Sequence, residues 1–365
     1  MKTIEVKTEK KYDVLVGREL LDEAGKLISE VSRGEKIFLV SDSNVAGLYM
    51  ERVEKSLSRA GFNLSSFVFP AGEENKTGET LLKMLVAMAD SGLTRKDTAV
   101  ALGGGVTGDL TGLGAAMYMR GIDYVQIPTS VLAAVDSSVG GKTAIDLPQG
   151  KNLAGAFHQP SLVIVDTDVF DTLPERDYNN GFAEVIKYGM IEDPGIIELI
   201  GEGKSNRLSG RIDRDSMEDI IARCIGIKAA IVEEDEFESG RRQILNFGHT
   251  IGHVAEKISG YSLYHGEAVA LGMLIITEVC VRSGLCEENV LTKLKEALAL
   301  CDLPAKNPGE TEELIKKAKE NRKRILEIIK VDKKNTGDGI NVVIPEKIGE
   351  CSIKKIPMEG LGDLI

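Results

Sequence analysis

A chain of 365 residues, 42% hydrophobic and 28% charged, has enough apolar material for two cored domains. Its formal charge of -12 leaves no basic excess with which to hold nucleic acid or an anionic membrane. No run of 18 apolar residues is present, which argues against a transmembrane helix, and the polar opening MKTIEVKTEKKYDVLVG lacks the apolar segment of a secretory signal. In chain order, short apolar runs come first: YDVLVG from Tyr12, KIFLVSD from Lys36, SSFVFP from Ser65, DTAVALGGG from Asp97, DYVQIP from Asp123 and SLVIVD from Ser161. Amphipathic stretches such as Thr77 to Ala89 lie between some of them. That alternation predicts an α/β domain over 1–172, Rossmann-like, with a largely parallel sheet.

After Leu173-Pro174 the strand signals nearly vanish. Glu184 to Ile191, Met217 to Glu234, Thr250 to Ser259, Glu267 to Arg282 and Val290 to Ala299 carry apolar residues at three-to-four spacing and predict helices. Only GINVVIPEKIGECSIKKI reads as a late hairpin, so 173–365 is expected to be mainly α-helical. Five cysteines (Cys224, Cys280, Cys286, Cys301, Cys351), none in a C-x-x-C pair, fit reduced thiols in the cytoplasm.

Three signals carry chemistry. In AVALGGGVTGDLTG, Gly103, Gly105 and Gly108 satisfy G-x-G-x-x-G after a strand and before a helix, where backbone amides approach a pyrophosphate. The setting is unusual, since several strands precede it and Asp123 begins the next strand rather than ending it. Further on, VDSSVGGKTA ends like a P-loop, but the position of the leading glycine is Asp136, whose charge opposes a triphosphate.

Histidine is the second signal. Three of the four lie within seventeen residues, with His249 and His253 one helical turn apart and His265 opening the next helix. Converging imidazoles suit a catalytic divalent metal that still needs a carboxylate, and spacing alone does not choose among Glu184, Glu256 and Glu267. Scattered cations are the third signal: Arg120, Lys142, Lys151 beside Asn152, Lys187, Lys228, and Arg242 with Asn246 are what a phosphate or carboxylate substrate requires.

Taken in order, GGGVTGDLTG, VQIPTS, VDSSVGGKT, GKNLAGAFHQP, GFAEVIKYG, NFGHTIGHVAE, HGEAVA and DKK resemble the 3-dehydroquinate synthase family. The resemblance implies a dehydroquinate synthase-like fold and conversion of 3-deoxy-D-arabino-heptulosonate 7-phosphate to 3-dehydroquinate and phosphate in the shikimate pathway. NAD and one divalent metal, zinc or cobalt, would be the cofactors. Glu184, His249 and His265 would be the metal ligands, with His253 a substrate contact or proton relay. NAD would be held by Asp42, Asn44, Glu73, Lys76, Gly104, Gly105, Val106, Asp109, Thr129, Ser130, Lys142, Lys151, Val169, Phe170, Asp171 and Thr172. Asp136, Lys142, Lys151, Asn152, Lys187, Lys228, Arg242, Asn246, His253 and Lys334 of the Lys333-Lys334 pair would face the substrate. Arg120 would meet its phosphate, within one chain or across the interface of a homodimer. The rivals are another sugar phosphate cyclase, a metal-dependent polyol or glycerol-phosphate dehydrogenase, a P-loop phosphotransferase and a binding module without catalysis.

Overall fold

The run TAVALG is apolar at almost every position, and in the computed structural model its strand is buried end to end, as a strand covered on both faces must be. The structure describes residues 1–205, 211–260, 262–305, 308–320 and 339–357. In chain order the strands are β1 (Lys2–Val6), β2 (Tyr12–Gly17), β3 (Lys36–Asp42), β4 (Asn63–Phe69), β5 (Thr98–Gly103), β6 (Asp123–Pro128), β7 (Lys142–Leu147), β8 (Gly150–Phe157), β9 (Leu162–Asp166), β10 (Gly339–Lys347) and β11 (Glu350–Pro357). The chain folds as two compact units, Met1–Leu173 with Lys228–Glu236, and Pro174–Ile227 with Phe237–Ile365.

The first unit is built on a seven-stranded sheet of order β1-β2-β9-β6-β5-β3-β4. All its pairings are parallel except that of β1 with β2. Strands β3 and β5 are neighbours whose onward connections run to opposite sides, β3 to β4 and β5 to β6. That is a topological switch point, where open α/β sheets bind ligands beyond the carboxyl ends of their strands. The helix Gly105–Met117 leaves the end of β5 and packs closely, since a Cβ on Gly108 would stand 2.6 Å from Gln126 Oε1.

Three strands are absent from the sequence reading. Edge strand β1 is polar on its exposed face, and the antiparallel pair β7–β8 is rich in glycine and polar residues, so neither shows a run of apolar β-formers. Another difference lies in Lys228–Glu236, expected in the helical half, which belongs to the first unit. Its Glu233 accepts from the amide of Lys7, and its Glu236 from Glu9 and Gln159.

Among the described residues, the regular structure of the second unit is helical apart from the β10–β11 hairpin. Its centre is the helix His265–Arg282, buried over most of its length, beside Glu175–Ile191 and His249–Ile258. The last of these crosses the central helix at backbone contact, because a Cβ on Gly272 would meet the carbonyl of Gly248 at 2.0 Å. This close crossing brings His249 and His253 beside His265.

Candidate active site

At the switch point of the first unit, Asp42 ends β3 and Gly103 ends β5. Asp42 Oδ1 accepts from the amides of Asn44 and Val45, at 2.9 and 3.1 Å, and Oδ2 accepts from Thr107 Oγ1 at 3.3 Å. The acid missing after the glycine turn in sequence is thus present beside it in space, on the preceding parallel neighbour. Thr129, at the end of β6, donates its amide to the carbonyl of Gly103 at 2.9 Å, which brings the Thr129-Ser130 turn to the same end of the sheet. A Cβ on Gly104 would find nothing nearer than Ser130 Oγ at 3.8 Å. Protein packing therefore does not demand this glycine, and the open space before a helix N-terminus fits a nucleotide pyrophosphate.

Beside it lies a charged network. Lys76, buried, sits 2.6 Å from Asp109 Oδ2 and donates to Asn152 Oδ1 at 2.5 Å, while Glu73 lies 3.9 Å from Lys76 and 3.8 Å from Lys151. Burial pushes the Asp109 carboxyl up to about 6, against the opposing pull of the Lys76 ammonium. Val169 and Phe170 are buried in the turn after β9, so any contact they make with a cofactor is made by the main chain. The Val169 carbonyl already accepts from Tyr49, which is also 2.5 Å from Thr172 Oγ1; Asp171 lies between them, exposed.

The GGKT sequence is resolved plainly. Gly140 and Gly141 have φ of 98° and 67°, the left-handed values of a turn, and Lys142 then opens strand β7. A P-loop lysine stands at the start of a helix, so the phosphotransferase rival loses its structural context. Asp136 accepts from Lys228 Nζ through both its carboxylate, at 2.7 Å, and its carbonyl. Two residues expected to face the substrate thus hold each other in place, with Lys228 buried.

In the second unit, Glu184 is fully buried and Oε1 lies 3.4 Å from His249 Nε2 and 3.6 Å from His265 Nε2. Ligand atoms of these three residues all fall within 4.8 Å of one another, and Lys187, also buried, pairs with Glu184 Oε2. His249 Nδ1 donates to the carbonyl of Phe247 at 3.2 Å, leaving the Nε2 lone pair directed at the cluster. Desolvation holds the His249 imidazole down to about 3, hence neutral. Burial lowers His265 too, but its bonds to Glu184 and Glu256 outweigh this and raise it to about 10. One carboxylate and two imidazoles form an N/O donor set that fits a divalent cation.

The three candidate carboxylates are therefore sorted by position. Glu184 stands between two imidazoles, Glu256 lies 3.4 Å from Nδ1 of His265, and Glu267 is engaged by Arg176 at 2.6 Å. His253 is 5.4 Å from His249 and 6.0 Å from His265, ring centre to ring centre, on the rim of a cavity of about 490 Å3. Asn246 lines the same cavity and donates to Glu238 Oε1 at 2.7 Å, a partner the sequence reading missed. Arg242 is buried in the same short turn. A second cavity of about 480 Å3, lined by Arg176, Glu267 and Asp302, contains none of the expected ligands.

One expected residue, Arg120, is not brought to these clusters. Arg120 stands three residues before β6, at the amino ends of the strands, and is exposed. The 13-residue helix Gly105–Met117 separates it from the glycine turn by about 20 Å. Lys334, with Lys333, lies outside the described residues.

Comparison with known proteins agrees over nearly the whole chain. A family model described as 3-dehydroquinate synthase N-terminal matches residues 66–180, and one described as 3-dehydroquinate synthase C-terminal matches 181–335. The chain is 43% identical over 352 residues to 3-dehydroquinate synthase of Caldanaerobacter subterraneus subsp. tengcongensis, covering 96% of each protein. It is 42% identical over 357 residues to that of Pelobacter propionicus, covering 97% of this chain and 95% of the relative. Among solved structures, 2-deoxy-scyllo-inosose synthase with carbaglucose-6-phosphate, NAD+ and Co2+ superposes at a TM-score of 0.84 with 25% identity, over 100% of this chain and 99% of that one. The 2-epi-5-epi-valiolone synthase of Streptomyces hygroscopicus subsp. jinggangensis, with NAD+ and Zn2+, gives 0.83 with 26% identity over 99% and 97%. Glycerol dehydrogenase of Schizosaccharomyces pombe, at 19% identity and a TM-score of 0.67, shares the fold. The identity to curated relatives along both units exceeds that to the other cyclases, and the chain belongs to the 3-dehydroquinate synthase family.

Proposed function

We propose that this chain converts 3-deoxy-D-arabino-heptulosonate 7-phosphate to 3-dehydroquinate and phosphate by transient oxidation, phosphate elimination, reduction, ring opening and intramolecular aldol addition. The observation that carries the reading is the buried Glu184 between the Nε2 atoms of His249 and His265, in a chain about 43% identical to enzymes of that name. Glu184, His249 and His265 would hold the divalent metal. Asp42, Asn44, Glu73, Lys76, Gly104, Gly105, Val106, Asp109, Thr129, Ser130 and the Val169–Thr172 turn would hold NAD. When bound, NAD supplies a reversible hydride acceptor and the metal acidifies a secondary hydroxyl, as Zn2+ and Co2+ do.

The remaining work falls to this chain's side chains. Lys142, Lys151 and Arg242 bring positive charge to a phosphorylated, carboxylated substrate, and Asn152 and Asn246 orient its hydroxyls. The Asp136–Lys228 pair offers an acceptor and a donor already fixed toward each other. His253 lies outside the Glu184 group and forms with Glu256 and His265 a second set of donor atoms within 4.8 Å of one another, a position suited to relaying a proton beside the metal. Lys187, buried beside Glu184, places its ammonium against that carboxylate.

We read Arg120 as serving the phosphate across a homodimer interface. Large apolar side chains are exposed around it and on neighbouring elements, including Leu82, Val86, Met117, Met119, Leu153 and Phe157, as at a subunit contact. Five free thiols support a cytoplasmic setting. The test is to supply the heptulosonate phosphate, trace NAD+ and Zn2+, and follow phosphate together with absorbance at the NADH band. Phosphate release without net NADH is expected; steady NADH accumulation, or a rate indifferent to a chelator, would reject the reading.

A further inference from the structure

The helix that begins at His265 is started jointly by its own Glu267 and by a neighbouring helix. Its N-cap is Tyr264, which makes no side-chain cap, although the first amides of any helix have no partner within it. Here the partners come partly from the helix itself and partly from its neighbour. The Gly266 amide donates to Asn180 Oδ1 at 2.6 Å, and the Tyr264 amide donates to Glu267 Oε2 at 2.9 Å. Glu267 is in turn gripped by Arg176, through Nε at 2.6 Å and Nη2 at 2.7 Å. The Arg176 guanidinium also donates to the Ser262 carbonyl at 3.0 Å and lies 3.8 Å over the Tyr264 ring. Asn180 and Arg176 both belong to the helix Glu175–Ile191, which carries Glu184 one turn beyond Asn180.

The residues on either side of His265 are thus tied to the helix that presents Glu184. The approach is at backbone contact, for a Cβ on Gly266 would stand 1.9 Å from the Asn180 carbonyl. We infer that Asn180, seconded by Arg176, is a positioning residue that fixes His265 against Glu184 and so sets the affinity of the metal centre. This rests on the reading of Glu184, His249 and His265 as ligands. Neither residue is one of those ligands; each acts through the helix start. Asn180 is the stronger tie because it is buried, where an unmet amide is costly, whereas the Arg176–Glu267 pair has its arginine half exposed.

The test compares the parent chain with Asn180→Ala, Asn180→Asp and Arg176→Gln, loading each with Zn2+ alone in competition with a chromophoric chelator. Melting of the metal-free forms and the visible spectrum of Co2+-loaded forms are recorded beside it. Asn180→Ala is expected to bind Zn2+ about 10- to 100-fold more weakly, the usual scale for groups that support ligands, and to alter the Co2+ bands. Asn180→Asp keeps an oxygen for the Gly266 amide and is expected to restore both, with Arg176→Gln falling between. Parent-like Zn2+ affinity in Asn180→Ala would overturn the inference, as would equal losses in Asn180→Ala and Asn180→Asp. A parent chain that holds no Zn2+ would instead overturn the ligand reading, and the inference with it.

Discussion

At the scale of single residues, His249 and His265 share one carboxylate yet are driven in opposite directions. Desolvation keeps His249 neutral down to about 3, while Glu184 and Glu256 hold a proton on His265 up to about 10. In the metal-free protein, the stability contributed by that proton is fully present below the ordinary imidazole pKa of about 6.5 and is lost as pH rises through about 10. His249 contributes in the opposite sense, its stability present above about 6.5 and lost as pH falls toward 3. A metal ion must displace the His265 proton, so uptake near pH 7 is expected to release about one proton per ion. Calorimetric titration with Zn2+ in buffers of different ionisation enthalpy measures this. His253→Ala should keep both the uptake and the proton, and His265→Ala should lose both; loss in both variants would show the ligands to be wrongly assigned. The histidine cluster was legible in the sequence because three of four histidines are crowded together. Choosing the carboxylate was not, since only the fold places Glu184 and Glu256 against opposite nitrogens of His265 and turns Glu267 to the Tyr264 amide.

Among elements, the strands that sequence reveals best are β5 and β9, where every position is buried and nearly all are apolar. The β7–β8 hairpin escapes because its sequence answers to packing rather than to burial. A Cβ on Gly155 would stand 2.1 Å from the carbonyl of Thr143, and Asn152 is held at φ 57° by bonds to Lys76 and Asp146. This hairpin carries Lys142, Lys151 and Asn152, so its register sets where three of the expected ligand contacts stand. Gly155→Ala is accordingly expected to cost about 1–3 kcal/mol, the range for forcing atoms into a packed site, and to weaken NAD binding at the same time. Denaturant midpoints and a titration with NAD+ read the two effects. Unchanged NAD+ affinity in a destabilised variant would separate the hairpin from the cofactor.

For the whole molecule, the sequence disclosed an α/β half and a helical half because their periodicities differ, two against three to four. It did not disclose that Lys228–Glu236 returns to the first unit, since a helix carries no mark along its length of which neighbour it packs on. Arg120 raises a related question, because motif resemblance assigns it to the phosphate while its own unit puts it at the amino ends of the strands, away from the glycine turn. A closed two-fold dimer reconciles the two, for the same patch then faces itself and each subunit can lend an arginine to the other. This is open to complementation. Arg120→Ala and Lys142→Met are each expected to be inactive, and dissociating and mixing them equally gives half hybrid dimers by random pairing. In a hybrid, one site has lost both groups and the other has kept both, so about a quarter of the parent activity should return. If Arg120 served the site of its own chain, each site in a hybrid would still lack one group, and mixing would recover nothing.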